Sequence, residues 1–392
     1  MREAYIVSSV RTPGCRRGKG AFAQTRPEDL LSQVMAAAAD RIKLDKALVD
    51  DCFTGCAFPE AEQGINVARI AQLMAGYPVT SSAAVVNRFC SSGLEAIALA
   101  GLKIQAGWVD IAMGSGLESM TIVPMGGNLP RPHPDWAKKN PDVYISMGIT
   151  AENVASRYNI SREDQDKFGY ESQMKAAKAQ KEKLFTEIHP TTGTRFVQQA
   201  DGTYKKETFV QDFDDGVRAD TTLEGLAKLR PAFKAMGSVT AGNSSQTTDG
   251  AAATIVASED ACKKYNLKPL ARIVGYAVAG CEPDEMGVGP KYAIPKVLKQ
   301  TGMKLDQMDI IELNEAFASQ SLHCIRELGL TERMDIINVH GGACALGHPL
   351  GCTGAKLMAT LVANMHRYNK KFGLESMCIG GGMGAAMIIE KM

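Results

Sequence analysis

In VNRFCSSGLEAIALA, residues 86–100, a cysteine stands between an apolar, strand-like run and the first turn of a strong helical pattern. A thiol there faces the first unpaired N–H groups of a helix, whose partial positive charge favours thiolate and lowers the thiol pKa. Cys90 is therefore a candidate nucleophile, an exposed thiolate at a helix start. A buried structural cysteine would also fit, and position alone does not decide. A thiol nucleophile needs a base. Of six histidines, His348 is the best candidate, because Gly347-His348-Pro349 lies in the glycine-rich run NVHGGACALGHPLGCTGA, residues 338–355. Pro349 holds the residue before it in extended geometry; a hydrogen-bonded loop histidine is the plain alternative. A third run, MCIGGGMG at 377–384, puts Cys378 at the end of an apolar strand. The glycines after it can turn backbone N–H groups toward an anion, as an oxyanion hole requires. Asn314, in the NEAF run that closes another strand, can hold a water or a carbonyl.

Rival uses of these residues are weaker. Cys52 and Cys56 have plausible metal-ligand spacing, but no second matching pair follows. Cys344, His348 and Cys352 lie four apart, yet Gly347, Pro349 and Gly351 prevent one continuous helical face. No metal site is expected. The GGGMG run does not open a helix with an acidic residue downstream, so a dinucleotide site is not expected either.

The elements that must position these residues alternate. Strand-like runs at 4–10, 51–56, 83–87 and 111–113 are separated by helix-like runs at 30–42, 66–75 and 93–106. Such alternation implies an α/β protein with a mostly buried sheet. With 392 residues, 45% hydrophobic and 22% charged, the chain can build two or three ordinary globular domains. A formal net charge of +1 offers no general attraction to nucleic acid or anionic membrane. No apolar run approaches the roughly 18 residues needed to span a bilayer, so no membrane insertion is expected. The opening MREAYIVSSVRTPG reads as a first strand rather than a leader. Ten cysteines scattered through a large chain read as reduced thiols in a cytoplasmic compartment.

The pattern also repeats. KLDKALVDDC at 43 is echoed by KLDQMDIIEL at 304, and EAYIVSSVRT by LARIVGYAVAG. DGAAATIV at 249 is echoed by MGAAMII at 383, and GLESM at 116 by GLESM at 373. Between the first copy's Glu118 and its closing strand lies an excess of more than a hundred residues, richer in charge and proline, with a helix over 162–183. This reads as an inserted loop domain, of the kind that forms a lid or ligand surface. The expected division is residues 1–118 with 246–269 as one half, 119–245 as the insertion, and 270–392 as the second half.

Taken together, NRFCSSG, NEAFA, GGACALGHPLGCTGA and CIGGGMGAA resemble the four motifs of the thiolase family, in family order and over essentially the whole chain. The resemblance implies the thiolase fold: duplicated βαβαβαββ halves in a five-layered αβαβα core with an inserted loop domain. It also implies a reaction. Cys90 attacks a 3-ketoacyl-CoA after His348 helps to generate its thiolate, and Cys378 protonates the departing acetyl-CoA enolate. CoA then resolves the acyl-cysteine. His348 with a water held by Asn314 would stabilise the enolate, and the N–H groups of Cys90 and Gly380 the tetrahedral oxyanion. Arg218 and Ser245 stand at CoA-contacting positions, with Met147, Phe233 and Phe317 near the pantetheine or acyl channel. Coenzyme A is thus a substrate, and no tightly bound cofactor is implied. CSSG, GNSSQTTDGAAA and EMGVGPKYAIP look like the degradative branch of fatty-acid β-oxidation, as does Ser146, where the biosynthetic branch commonly has His. The resemblance also points to a homodimer, with a homotetramer as the alternative. Departures are Phe89, just before the nucleophile, and Cys344, which adds a thiol near the site. The competing functions are a biosynthetic acetoacetyl-CoA thiolase, a decarboxylating ketoacyl synthase, for which Cys378 would be His or Asn, and a catalytically silent lipid carrier.

Overall fold

Short runs of small and β-branched residues bounded by amphipathic stretches fold as alternating strands and helices. The structure, a computed structural model, describes residues 2–392. The first copy runs β1 (Ala4–Arg11), β2 (Cys15–Arg16), α1 (Pro27–Asp40), β3 (Asp51–Gly55), α2 (Val67–Met74), β4 (Ser82–Val86), α3 (Ser92–Gln105) and β5 (Ile111–Ser119). Residues off the central sheet follow: α4 (Pro134–Lys139), α5 (Met147–Arg157), α6 (Arg162–Lys181), the hairpin β6 (Thr191–Gln198) and β7 (Tyr204–Gln211), and α7 (Leu223–Ala227). The chain re-enters the sheet with β8 (Thr248–Ser258), then forms α8 (Glu259–Lys264) and β9 (Ala271–Gly280). It ends with α9 (Pro290–Thr301), β10 (Ile310–Leu313), α10 (Ala318–Glu327), α11 (Ala343–Leu346), α12 (Thr353–Arg367), β11 (Phe372–Ile379) and β12 (Met383–Lys391).

The strand order is β10-β11-β12-β9-β1-β8-β5-β3-β4, with β2 against β8. β3 lies parallel to β4 and β5, and β10 to β11; the other pairings on this path are antiparallel. Among the named strands, the two halves pair only where Tyr5 faces Arg272 and Ile6 faces Ala271, a narrow seam between β1 and β9. Side chains of α1 and α2 cover one outer face and those of α9 and α10 the other. Leu94, Ile97 and Ile104 of α3 share the middle layer with Met358, Leu361 and Met365 of α12. Five layers result, with helices between and outside two half-sheets.

Each echoed word falls on an equivalent strand: β1 with β9, β3 with β10, β5 with β11, β8 with β12. The second copy lacks a full counterpart of β4. Ile337 makes a single parallel bridge to Ile311 there. The Asn338 carboxamide then replaces the missing ladder, accepting from Leu313 N at 2.9 Å and donating to Leu313 O at 2.8 Å. Because α3 follows β4, and α12 follows the bridge, the two middle helices are equivalents and both begin at one end of the molecule.

Close approach fixes α3 on the sheet. A Cβ at Gly114 would stand 2.4 Å from Ile97 Cα, and one at Gly55 would stand 2.1 Å from Ser92 C. Only glycine lets β3 and β5 lie this near to the start of α3. Deeper in the second half, Glu312 and Glu375 are register partners on β10 and β11, both fully buried. Burial pushes the Glu312 carboxyl up to about 8, against a hydrogen bond from Asn364. Burial and the neighbouring Glu312 push Glu375 well above the usual range, and neither of its oxygens has a partner.

Candidate active site

Cys90 sits in a 3-10 turn, Phe89–Ser91, that leads directly into α3. The residue before it, Phe89, takes a left-handed φ of 41°, a conformation uncommon for a bulky side chain, and packs against Phe58 with ring centroids 6.3 Å apart. The Asn87 side chain braces the turn, accepting from Phe89 N at 2.9 Å and donating to Ala57 O at 3.0 Å. The sulfur is not exposed, as a helix-start thiolate would be: Cys90 is 1% accessible, among Ala57, Met120 and Leu350. Its pKa is not lowered either. Burial pushes the thiol up to about 12, while the N–H groups of Gly380 and of Cys90 itself act in the opposite direction. Those two donors are the pair the motifs assign to an oxyanion.

The equivalent turn before α12 is Leu350–Cys352, and His348 lies two residues ahead of it. Its backbone N–H donates to Gln246 O at 2.8 Å and forms a parallel bridge with Thr247, the extended geometry imposed by Pro349. The ring is held at both nitrogens. Nε2 lies 3.4 Å from Asn314 Nδ2, and Nδ1 lies 2.6 Å from Thr353 Oγ1. Burial, with Lys356 adding to it, brings the imidazole pKa down to about 3, so the resting ring is neutral. Lys356 is itself buried, lowered to about 8 by burial, and donates to Gly347 O at 3.1 Å. It thereby anchors the residue before His348. Asn314 follows β10, its N–H donating to Ser376 O at 2.9 Å, and its Oδ1 is buried without a partner. An unpaired acceptor beside a neutral imidazole is a seat for a water or a ligand donor.

Cys378 lies one residue from the end of β11, fully buried beside Ala316, Phe317 and Met286. Burial raises its pKa well above the ordinary value, and Cys90 is the strongest charge acting on it, which sets the two thiols near one another. Met147, at the start of α5, packs against both the Cys90 and the Cys378 clusters.

A cleft of about 260 Å³ opens above these groups, lined by Ser146, Met147, Phe233, Ser245, Phe317 and His348 among others. Met120 and Leu350, which cover Cys90, and Ala316 and Phe317, which cover Cys378, form part of its wall. Phe233 and Phe317 meet edge to face with centroids 5.9 Å apart. The structure thus gathers Met147, Phe233, Ser245, Phe317, His348 and Asn314 with both thiols and Gly380. It does not bring Arg218 into the cleft wall. Arg218 is exposed on a loop beyond it, without an ion pair among the described residues. Gln246, which donates to Gly216 O and accepts from His348 N, ties that loop to the site. Cys344 stands apart from the thiol pair, its N–H on Glu315 Oε2 at 3.1 Å.

Three residues were missed by reasoning from sequence. Thr353 orients His348, and Gln320 Oε1 lies 3.6 Å from Cys378 Sγ. Glu118 is fully buried and gathers the N–H groups of Ala57, Phe58 and Gly351 with Gln63 Nε2. It locks the wall beneath Cys90 to the His348 run. Only Glu118 left a signal, the repeated word GLESM. Chemically, the arrangement offers a thiol aimed at two N–H donors, a neutral imidazole held at both ends, and a second protonated thiol. These are the parts for covalent acyl transfer coupled to proton transfer.

The chain belongs to the thiolase family. The thiolase N-terminal domain matches residues 4–260, and the thiolase C-terminal domain matches residues 267–391. A 3-ketoacyl-CoA thiolase of Bacillus subtilis (strain 168) is 49% identical over 391 residues, covering 100% of both chains. The crystal structure of human mitochondrial 3-ketoacyl-CoA thiolase superposes with a TM-score of 0.88 at 38% identity, covering 100% of this chain and 99% of that one. That of the Bacillus anthracis acetyl-CoA acetyltransferase gives 0.89 at 36% identity, with the same coverage. As in these relatives, the fold is a mixed α/β one with a large central sheet, and the chain is an acyltransferase. No helix among the described residues is long and apolar enough to cross a membrane.

Proposed function

We propose that this chain is a degradative 3-ketoacyl-CoA thiolase, cleaving a 3-ketoacyl-CoA with CoA to acetyl-CoA and a shortened acyl-CoA. The observation that carries the reading is the convergence of Cys90, Cys378, His348 and Asn314 around one apolar cleft. Cys90 attacks the 3-keto carbon as its proton passes to His348; concerted transfer suits a resting thiol and imidazole that are both neutral. The oxyanion forms against the N–H groups of Cys90 and Gly380, each such donor contributing about 3 kcal/mol to lowering the barrier. The carbon–carbon bond breaks, Cys378 protonates the enolate carbon, and CoA releases the acyl group from Cys90. Asn314 and His348 stabilise the enolate oxygen, through a water seated on the unpaired Asn314 Oδ1. Met147, Phe233 and Phe317 receive the pantetheine and acyl chain, Ser245 binds a polar CoA group, and Arg218, outside the cleft, reaches the nucleotide end. Residues 119–245 are the CoA-receiving insertion within the first half, which residues 246–269 complete. CoA is a substrate here, and the reaction uses no metal or tightly held cofactor.

The experiment is a comparison of kcat/KM for acetoacetyl-CoA with that for a series of longer 3-ketoacyl-CoA substrates in the thiolytic direction. Rising values with chain length support the degradative reading. A clear preference for acetoacetyl-CoA, with efficient condensation of acetyl-CoA, would favour the biosynthetic alternative named by the Bacillus anthracis relative.

The working form is proposed to be a homodimer. β4 ends the sheet with an unpaired edge, and α2 beside it exposes Ile70, Leu73 and Met74, with Ile65 and Val79 nearby. Sedimentation at twice the chain mass checks this; four times the mass would indicate the homotetramer. A cytoplasmic location completes the proposal and rests on the cysteine usage of the sequence.

A further inference from the structure

Gln320 is the third residue of α10, and its side chain turns back over the helix start. Its Oε1 accepts from Ala316 N at 3.1 Å and from Phe317 N at 3.5 Å. The same oxygen lies 3.6 Å from Cys378 Sγ, the sulfur donating. Two backbone N–H groups can be met only by oxygen, so they decide which end of the carboxamide faces the thiol. The other end, Nε2, is buried and has no partner. A capping role at this position needs only an acceptor, and glutamate fills it as well as glutamine. What glutamine adds is an acceptor without charge. The side chain is also confined: a Cβ at Gly287 would come within 2.5 Å of Gln320 Cβ.

The titratable groups that act most strongly on Cys378 come from three elements, and all are thiols: Cys90 from the turn before α3, Cys281 after β9, and Cys324 on α10. We propose that Gln320 is the positioning residue for the proton that Cys378 exchanges with substrate. Its Oε1 accepts the S–H and fixes the thiol rotor, while its neutrality lets the sulfur ionise. The inference rests on Cys378 being the acid/base of the reaction proposed above. In cleavage the S–H bond breaks, the proton goes to the α-carbon of the departing acetyl-CoA enolate, and the electron pair stays on sulfur. Condensation reverses each of these. The amide oxygen cannot donate to the thiolate, so the resting hydrogen bond favours the protonated form.

Gln320→Glu and Gln320→Leu test this with opposite signs. Gln320→Glu keeps every acceptor contact and loses only an N–H that has no partner, at the cost of burying a carboxyl, so its melting temperature should fall less than that of Gln320→Leu. Its carboxylate opposes ionisation of Cys378. In a Cys90→Ser background, peptide-resolved alkylation of Cys378 by iodoacetamide should then slow by about tenfold at a fixed alkaline pH. With Cys90 present, thiolysis and condensation should lose kcat/KM by the same factor, because the equilibrium constant ties the two directions together. Gln320→Leu removes the acceptor and should move the alkylation profile toward lower pH. A purely structural glutamine predicts that both profiles shift together, in step with lost thermal stability, and that result overturns the proposal. So does an unshifted profile in Gln320→Glu, which decides the matter even if Gln320→Leu does not fold. Full turnover in Cys378→Ser would instead remove the underlying acid/base reading.

Discussion

Arg11→Met is expected to destabilise the protein by about 3–5 kcal/mol. This corresponds to a fall in melting temperature of about 5 °C, measurable by calorimetry. Arg11 closes β1 and is fully buried. Its Nη1 and Nη2 donate to Asp214 at 2.7 and 3.0 Å, its Nε to Glu187 at 3.1 Å, and Nη1 also to Thr12 O. Burial alone would lower the guanidinium pKa, but Asp214 and Glu187 more than offset it, so the charge is kept. Glu187 precedes β6 and Asp214 follows β7, so one side chain fastens both ends of the hairpin to the sheet. Asp214 also accepts from Gly14 N at 2.6 Å, extending the clamp to the loop after β1. Methionine fills much of the volume and leaves two buried carboxylates without their hydrogen-bonded cation. The cost is therefore mainly that of unpaired charge, not a cavity. Adding Asp214→Asn and Glu187→Gln should recover a substantial part of the loss. If the triple variant is no more stable than Arg11→Met, packing rather than charge carries the effect.

Cys378→Ser should lower steady-state turnover in both directions by about two to four orders of magnitude, while sparing acylation of Cys90 by an acyl-CoA. His348→Asn should lose both. The separation follows from the site. His348, with Asn314 on one nitrogen and Thr353 on the other, is the group placed to take a proton as Cys90 attacks. Cys378 is needed only once an enolate carbon must gain or lose a proton, and a serine hydroxyl is a far weaker acid. Intact-mass spectrometry after a single turnover reads the acyl adduct directly. An adduct absent from Cys378→Ser, or turnover close to that of the parent, contradicts the division of roles.

Much of the frame was legible because it repeats. Alternation and echoed words marked the strands to within a residue or two at Ala4–Arg11, Asp51–Gly55 and Ser82–Val86. β5 was harder: a strand expected at 111–113 runs to Ser119. Its GSGLES half is buried on both faces, so no alternation shows, and its glycines reflect contact with neighbouring backbone rather than a turn. The environment of Cys90 was misjudged for a reason of magnitude. A helix terminus contributes about 0.3–1 kcal/mol, whereas full burial moves a pKa by as much as about 3–5 units, each about 1.4 kcal/mol. Burial was not visible in a CSSG motif. Thr353 and Gln320 escaped because their partners lie on other turns or other strands. Arg218 shows the converse: a motif match names a residue, but its distance from the cleft depends on loop geometry.

The narrow seam between β1 and β9 has a consequence for inheritance. Cys90 comes from one copy of the repeat, and Asn314, His348 and Cys378 come from the other. On the proposed mechanism neither copy carries a complete set of reacting groups, and the chemistry belongs to the docking of the two. An ancestor carrying a single copy would have had to find its missing partner in another chain.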